Sequence, residues 1–203
     1  MYQELLTYIQ QLEDDTFQIG SERKQKLRQI SDFISSKVEE GSGAKLTFVC
    51  THNSRRSHFC QVWAAVLAHH FGLEYINTFS GGTEETAFNP RAVAAIERAG
   101  FKVENPGGEN PRYKVFYAED AAPLTCFSKT FDDEANPQDG FAAIMTCSDA
   151  DENCPLVPGT SLRISIPYID PKESDGTPGE AQTYDERCRQ IASEMYYMLS
   201  QLS

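Results

Sequence analysis

The chain has 203 residues, 40% of them hydrophobic, enough for one sizeable core with room for an appendage. Its formal charge of −12 argues against nucleic acid or an anionic membrane as a general partner. No apolar stretch approaches the roughly 18 residues that a membrane span needs, and the N-terminus lacks the basic-then-apolar pattern of a secretory signal. A cytoplasmic location is the resulting expectation, and there the six cysteines are expected as thiols rather than structural disulfides.

Residues 1 to about 40 read as two helices. The first carries Leu5, Leu6, Ile9 and Leu12 at helical spacing. The second opens near Ser21 and repeats apolar residues at Leu27, Ile30, Phe33, Ile34 and Val38, until Gly41-Ser42-Gly43 stops it. This N-terminal helical extension, residues 1–43, is expected to form a hairpin packed on the main domain, residues 44–203, or on a second subunit.

From Lys45 short strands alternate with helices, the pattern of a parallel sheet with helices on its faces. Lys45 to Val49 reads as a buried strand. It runs straight into Cys50-Thr51-His52-Asn53-Ser54-Arg55-Arg56-Ser57, and a helix from roughly Ser57 to Phe71 follows, turning Phe59, Val62, Trp63, Val66, Leu67 and Phe71 inward. Backbone N–H groups of such a strand-to-helix turn, with the first unpaired N–H groups of the helix, form a cradle for a tetrahedral oxyanion. Arg56 adds a planar, permanently charged fork. Cys50 at the bottom of this cup is expected as thiolate, the nucleophilic form. Ser57 is placed to cap the helix and to hydrogen-bond the sulfur. Arg55, Arg56, His52 and His58 make the loop a local basic island. Against this, a lone cysteine ending a strand is usually a small core residue, so the surrounding strand, loop and helix carry the functional reading.

A second strand covers about Glu74 to Ser80 and is expected to break at Gly81-Gly82. Pro90 opens a helix to Arg98 or Ala99, closed by Gly100. Tyr113 to Ala118, Phe141 to Cys147 and Leu162 to Ile166 read as further strands, and Tyr184 to Leu199 as the last helix. Residues 105–140, rich in Pro, Gly and acidic side chains, read as irregular surface with a strand or two inserted.

Cys147 ends an apolar run at a strand terminus, where open parallel sheets place their sites. Cys154 lies seven residues on, in a polar and mobile segment, close enough to fold back onto Cys147. Cys50, Cys147 and Cys154 together permit a relay by thiol–disulfide exchange. The alternatives are that Cys147 is core filler and Cys154 an incidental exposed thiol, or that they belong to a metal site, whose usual spacings are absent. Cys60, Cys126 and Cys188 read as packing or surface residues. Ile169-Asp170-Pro171 supplies an aspartate on a proline-stiffened loop, suited to donating a proton to a leaving group, although an isolated Asp-Pro is more often a turn.

These segments resemble the low-molecular-weight protein tyrosine phosphatase superfamily, and in particular its thioredoxin-coupled arsenate reductase branch, over most of residues 45–199. Cys50-Thr51-x-Asn53-Ser54-x-Arg56-Ser57 matches the signature loop, and Trp63 falls where reductases often carry tryptophan. Ser80-Gly81-Gly82-Thr83, Pro90-x-Ala92 and Ala99-Gly100 follow in the family's order. Cys147-Ser148-Asp149-Ala150-Asp151-Glu152-Asn153-Cys154-Pro155 resembles the segment that carries the reductases' two resolving cysteines, and Asp170-Pro171 matches the acid motif of both branches. Three departures stand out. His52 replaces a usual glycine, so either strain there or an altered surface near the anion is expected; Arg55 stands where a second cysteine is common, which removes one possible disulfide partner for Cys50. Gln61 replaces an acidic residue that some reductases use around potassium, so no metal site is carried over.

The resemblance implies an α/β, three-layer open parallel sheet, flavodoxin-like and of the phosphotyrosine phosphatase I type, with the helical hairpin added at its N-terminus. It implies arsenate held on the N–H groups of Thr51, His52, Asn53, Ser54, Arg55 and Arg56, with Ser57 beside the sulfur. Cys50 is then the nucleophile, Asp170 the proton donor, and Cys147 and Cys154 the relay, reduced by external thioredoxin with no organic cofactor. Two alternatives stay open. One is a phosphotyrosine phosphatase working through a phosphocysteine; the other is a non-catalytic module that binds anions or phosphoproteins.

Overall fold

The computed structural model describes residues 1–154 and 156–203. In chain order the elements are α1 (Gln3–Asp15), α2 (Ser21–Glu39), β1 (Ala44–Cys50), α3 (Arg56–His70), β2 (Ile76–Gly82) and α4 (Pro90–Arg98). There follow β3 (Lys102–Glu104), β4 (Tyr113–Phe116), β5 (Leu124–Cys126), β6 (Phe141–Met145), α5 (Ser148–Asn153), β7 (Thr160–Ser165) and α6 (Glu180–Ser200).

Four parallel strands form the main sheet, in the order β2-β1-β6-β7. Register places Cys50 opposite Gly82, and Val49 opposite Met145, so the carboxyl ends of β1, β2 and β6 share one edge. From β1 the chain crosses to β2 on one side, and from β6 to β7 on the other. That divergence opens a crevice outside the ends of β1 and β6, where folds of this kind carry their sites.

The two central strands, β1 and β6, are buried on both faces, which explains why they read as continuous apolar runs rather than alternating ones. Leu46, Phe48, Ala142 and Ile144 point into the large core beneath α3 and α6. Val49, Phe141, Ala143 and Met145 point the other way, into a small cluster with Phe131, Ala150, Cys154 and Val157. This third layer is made of irregular chain and the short α5.

The N-terminal hairpin packs on the same chain. Leu5, Ile9, Leu12, Leu27, Ile30 and Ile34 belong to the large core, Tyr8 stacks on Trp63 with ring centroids 5.2 Å apart, and the Ser31 hydroxyl donates to the Met198 carbonyl. Val38 departs from the expected stripe: it lies in the last turn of α2, beyond Ile34, and is exposed.

Three other expectations are corrected. Gly81 and Gly82 do not break β2; they continue it, because their missing side chains let other backbone approach. A Cβ on Gly82 would lie 2.7 Å from both the Asn53 nitrogen and the Thr51 oxygen. Tyr113–Phe116 is a strand but not part of the parallel sheet: it pairs antiparallel with β3 and β5 in a separate three-stranded sheet. Ser148–Asn153 is a helix rather than a mobile loop, and Cys154 at its end is buried at 8% exposure.

Candidate active site

Cys50 is the last residue of β1, and α3 begins at Arg56, so the turn between them is short and tightly bent. Asn53 absorbs the bend with φ = +43°, the only positive φ outside glycine among the described residues. Asparagine tolerates this region better than most side chains. The strain expected at His52 therefore falls one residue later, on a residue able to bear it. The buried Asn53 amide is fixed at both ends: Nδ2 donates to Ser57 Oγ at 2.8 Å, and Oδ1 accepts from the Lys129 N–H at 3.0 Å.

Ser57 Oγ in turn lies 3.1 Å from Cys50 Sγ. The Ser57 hydroxyl, while accepting from Asn53, shares a hydrogen bond with the sulfur. The expected sulfur contact is present, whereas the expected capping role is not: Ser57 lies inside the first turn, and Arg55 occupies the cap position with no side-chain bond. Among the described residues, no protein acceptor meets the backbone N–H groups of residues 51–56. Their carbonyls, by contrast, are well held. The Thr51 carbonyl accepts from the Glu84 N–H and the Thr83 hydroxyl, and the His52 carbonyl from the hydroxyls of Thr86 and Ser128. Unclaimed amides in a loop whose carbonyls are tied down make a candidate oxyanion cradle.

Arg56 Nη2 donates to Asp170 Oδ2 at 2.7 Å, and Nη1 donates to the Tyr168 carbonyl at 3.1 Å. Its buried Nε has no partner among the described residues. Asp170 also caps the short turn Pro171–Ser174, accepting from the Lys172 N–H at 3.1 Å. The two residues singled out for clamp and proton donor are thus in direct contact.

Arg55 is corrected. Its guanidinium is buried and engaged elsewhere, donating to Tyr184 Oη at 2.7 Å and to Asp175 at 3.3 Å, so only its backbone N–H serves the loop. Tyr184 also donates to Asp175, and burial pushes its phenol up to about 12. The basic island is correspondingly compensated. Arg55 and Arg56 face Asp175 and Asp170, and His52 sits 3.5 Å from Glu84. His58, buried under the loop and stacked on Phe88, is held neutral, first by burial and then by the nearby Lys129 ammonium. Gln61 donates to the Thr78 carbonyl.

Cys147 reaches the same crevice from β6. Its Sγ accepts from the Ala150 N–H at the start of α5 and lies 3.4 Å from Thr51 Oγ1, which donates to Asp149 at 2.7 Å. Cys50, Cys147 and Cys154 are all free thiols in one small cluster. Burial raises the Cys154 thiol, and Sγ donates to the Leu156 carbonyl. Pro155, the end of the resembling segment, lies outside the described residues. Cys60, Cys126 and Cys188 are buried packing thiols; Cys188 accepts from the Trp63 indole.

Sequence reasoning missed several supports: Ser128 and Lys129, Thr83 to Thr86, Tyr168, and the Tyr184–Asp175 pair. They converge on the loop from distant segments, and no local spacing in those segments marks them.

No family model matches the chain. An arsenate reductase of Bacillus licheniformis is 27% identical over 147 residues, covering 72% of this chain and 88% of that protein. An arsenate reductase of Bacillus subtilis is 25% identical over 142 residues, covering 70% and 84%. Among solved structures, a low-molecular-weight phosphotyrosine phosphatase from Vibrio cholerae O395 superposes with a TM-score of 0.53 at 14% identity, covering 79% of this chain and 97% of that one. An arsenate reductase in the phosphate-binding state gives 0.50 at 18% identity, covering 79% and 99%. The chain resembles the low-molecular-weight protein tyrosine phosphatase superfamily, in sequence through its arsenate reductases and in fold through both branches.

Proposed function

We propose that this protein is an arsenate reductase that uses Cys50 as nucleophile and a Cys147/Cys154 relay, in the cytoplasm, with thioredoxin as reductant. One observation carries the reading: Cys147 Sγ stands one hydroxyl, that of Thr51, away from the loop that begins at Cys50. The curated relatives named arsenate reductase support it.

Arsenate enters the ring of amides of residues 51–56 and takes the Arg56 fork, whose Nε has a hydrogen to give. Asp170, released from Arg56, donates a proton as the Cys50 thiolate attacks arsenic and one arsenic oxygen leaves as water. Cys147 then attacks Cys50 Sγ. The sulfur–arsenic bond breaks with its electron pair on arsenic, which leaves as arsenite, and a Cys50–Cys147 disulfide forms. Cys154 attacks Cys147, restoring Cys50, and the dithiol of thioredoxin reduces the Cys147–Cys154 disulfide.

The second reading, phosphotyrosine hydrolysis, is favoured by the contact of Asp170 with Arg56, since the same loop and acid cleave a phosphate ester. Cys147→Ser separates the two. Arsenate turnover with thioredoxin should fall at least a hundredfold, while aryl phosphate hydrolysis stays within about threefold. Retained arsenate turnover in the variant would overturn the relay.

A further inference from the structure

The N-terminal hairpin reaches the site through one side chain. Arg23, in the first turns of α2, donates from Nε to Glu194 Oε2 at 2.8 Å and from Nη2 to the Ile166 carbonyl at 3.1 Å. Its guanidinium also lies over the Tyr168 ring, 4.6 Å from the centroid. Tyr168 Oη donates to the same Glu194 oxygen at 2.8 Å. Burial and the Glu194 carboxylate hold that phenol well above its ordinary range, so it stays a donor. Arg23 therefore grips the segment after β7 twice, by the carbonyl of Ile166 and, through Glu194, by the side chain of Tyr168. The next bond belongs to the site: the Tyr168 carbonyl accepts from Arg56 Nη1, and Asp170, two residues on, accepts from Arg56 Nη2.

We propose that Arg23 is a positioning residue for the oxyanion site: from the N-terminal hairpin it fixes, through Glu194 and Tyr168, the carbonyl that aims the Arg56 fork. The proposal rests on the reading of Arg56 as the oxyanion clamp, but not on arsenate being the substrate. Both hydrogens of a bidentate contact must point at the anion together, so a small rotation of the guanidinium costs binding rather than bond-making. An arginine in the hairpin couples that extension to the site it packs behind.

The test uses inorganic phosphate as probe, read as protection of Cys50 from alkylation, alongside arsenate KM and kcat. Arg23→Met should weaken phosphate protection and raise arsenate KM about tenfold, with a smaller change in kcat; a loss of that size corresponds to one charge-assisted contact misaligned. Arg23→Lys, which keeps the charge but not the fork, should recover only part of the affinity. Because Arg23→Met alone leaves the Glu194 carboxylate buried without its partner and so threatens folding, Arg23→Met/Glu194→Gln is run beside it. That double variant has no buried charge to compensate and keeps an acceptor for Tyr168. A merely structural role would lower the melting temperature and the fraction of reactive protein without moving the phosphate affinity of the folded fraction. Phosphate affinity within twofold of wild type in the folded double variant would overturn the proposal. Wild-type protein that binds phosphate but never turns over arsenate would overturn the reductase reading instead, and the phosphate readout would still decide the role of Arg23.

Discussion

The two strand ends that meet in the crevice are built differently. At the end of β1 nearly every residue is tied down: Asn53 by Ser57 and Lys129, Ser54 by the Ala87 carbonyl, Arg55 by Tyr184 and Asp175, Arg56 by Asp170 and Tyr168. At the end of β6, Cys147 and Cys154 are joined by a helix of six residues backed by a small apolar cluster. The proposed reaction asks something different of each end. Donors already oriented when an anion arrives cost no reorganisation, whereas a thiol relay has to move its sulfurs together. Along a helix, seven residues at 1.5 Å each separate the Cα atoms of Cys147 and Cys154 by about 10 Å, and a disulfide accepts at most about 7 Å. For the proposed reaction the rigid end is the one suited to hold the anion, and the other end must unwind.

Disturbing the rigid end should do the most damage. A methyl on Gly82 would lie 2.5 Å from the Glu84 oxygen and 2.7 Å from the Thr51 oxygen and Asn53 nitrogen, all backbone atoms with no rotamer to change. Gly82→Ala must therefore shift the loop itself. Overpacking of this kind costs about 1–3 kcal/mol of stability, and a displacement near 1 Å lowers turnover on the order of a hundredfold. Both arsenate and aryl phosphate activities should fall together. Normal kinetics in Gly82→Ala would mean that the loop is less constrained than its bonds imply.

Loosening the other end should change only the relay. Ala150, buried in α5, donates its N–H to Cys147 Sγ, and the Asp151 and Cys154 N–H groups bond back to Cys147 and Ala150. Ala150→Gly weakens the helix by about 1 kcal/mol, so hydrogen exchange at Asp151 and Cys154 should quicken about fivefold in the reduced protein. Aryl phosphate hydrolysis should be unchanged. In wild type, oxidation to the Cys147–Cys154 disulfide should abolish protection of these amides altogether. Protection that survives oxidation would show that the sulfurs meet without unwinding.

The same contrast explains how much was legible in the sequence. The parallel strands, α3, α4 and α6 were readable because apolar runs and helical stripes are local patterns. The loop was readable because cysteine, asparagine, serine and arginine must stand at fixed spacing to build the cradle. Arg55 was legible only as one charge of the basic island, because nothing local shows that Tyr184 and Asp175, 129 and 120 residues away, claim its guanidinium. The helix α5 was missed because Ser148–Asn153 is polar and short; its N-terminus is set by a cysteine cap rather than by periodicity. Gly81-Gly82 looked like a break because a glycine pair usually is one. Here the pair instead makes room for backbone from the loop and from Phe131.

The remaining cysteines extend the comparison from motion to solvent. Cys126 and Cys188 are packing residues, and burial pushes both thiols from an ordinary value of 9.0 up to about 12. In the unfolded chain they ionise near 9; in the folded protein they do not. Their protonated state is therefore neutral to stability below pH 9. As pH rises above 9 the unfolded chain sheds protons that the folded one keeps, and stability falls. Each such thiol contributes a slope of about 1.4 kcal/mol per pH unit. Cys126→Ala removes one of them without orphaning a partner, whereas Cys188→Ala would strand the Trp63 indole N–H. Urea midpoints measured between pH 8 and 10 should decline less steeply in Cys126→Ala than in wild type, the ionisation of unfolded tyrosines being common to both, while activity at pH 7 stays the same. An unchanged decline would place the alkaline instability elsewhere, and a loss of activity at neutral pH would give Cys126 a part in the site that its buried position at the end of β5, paired with β4, does not predict.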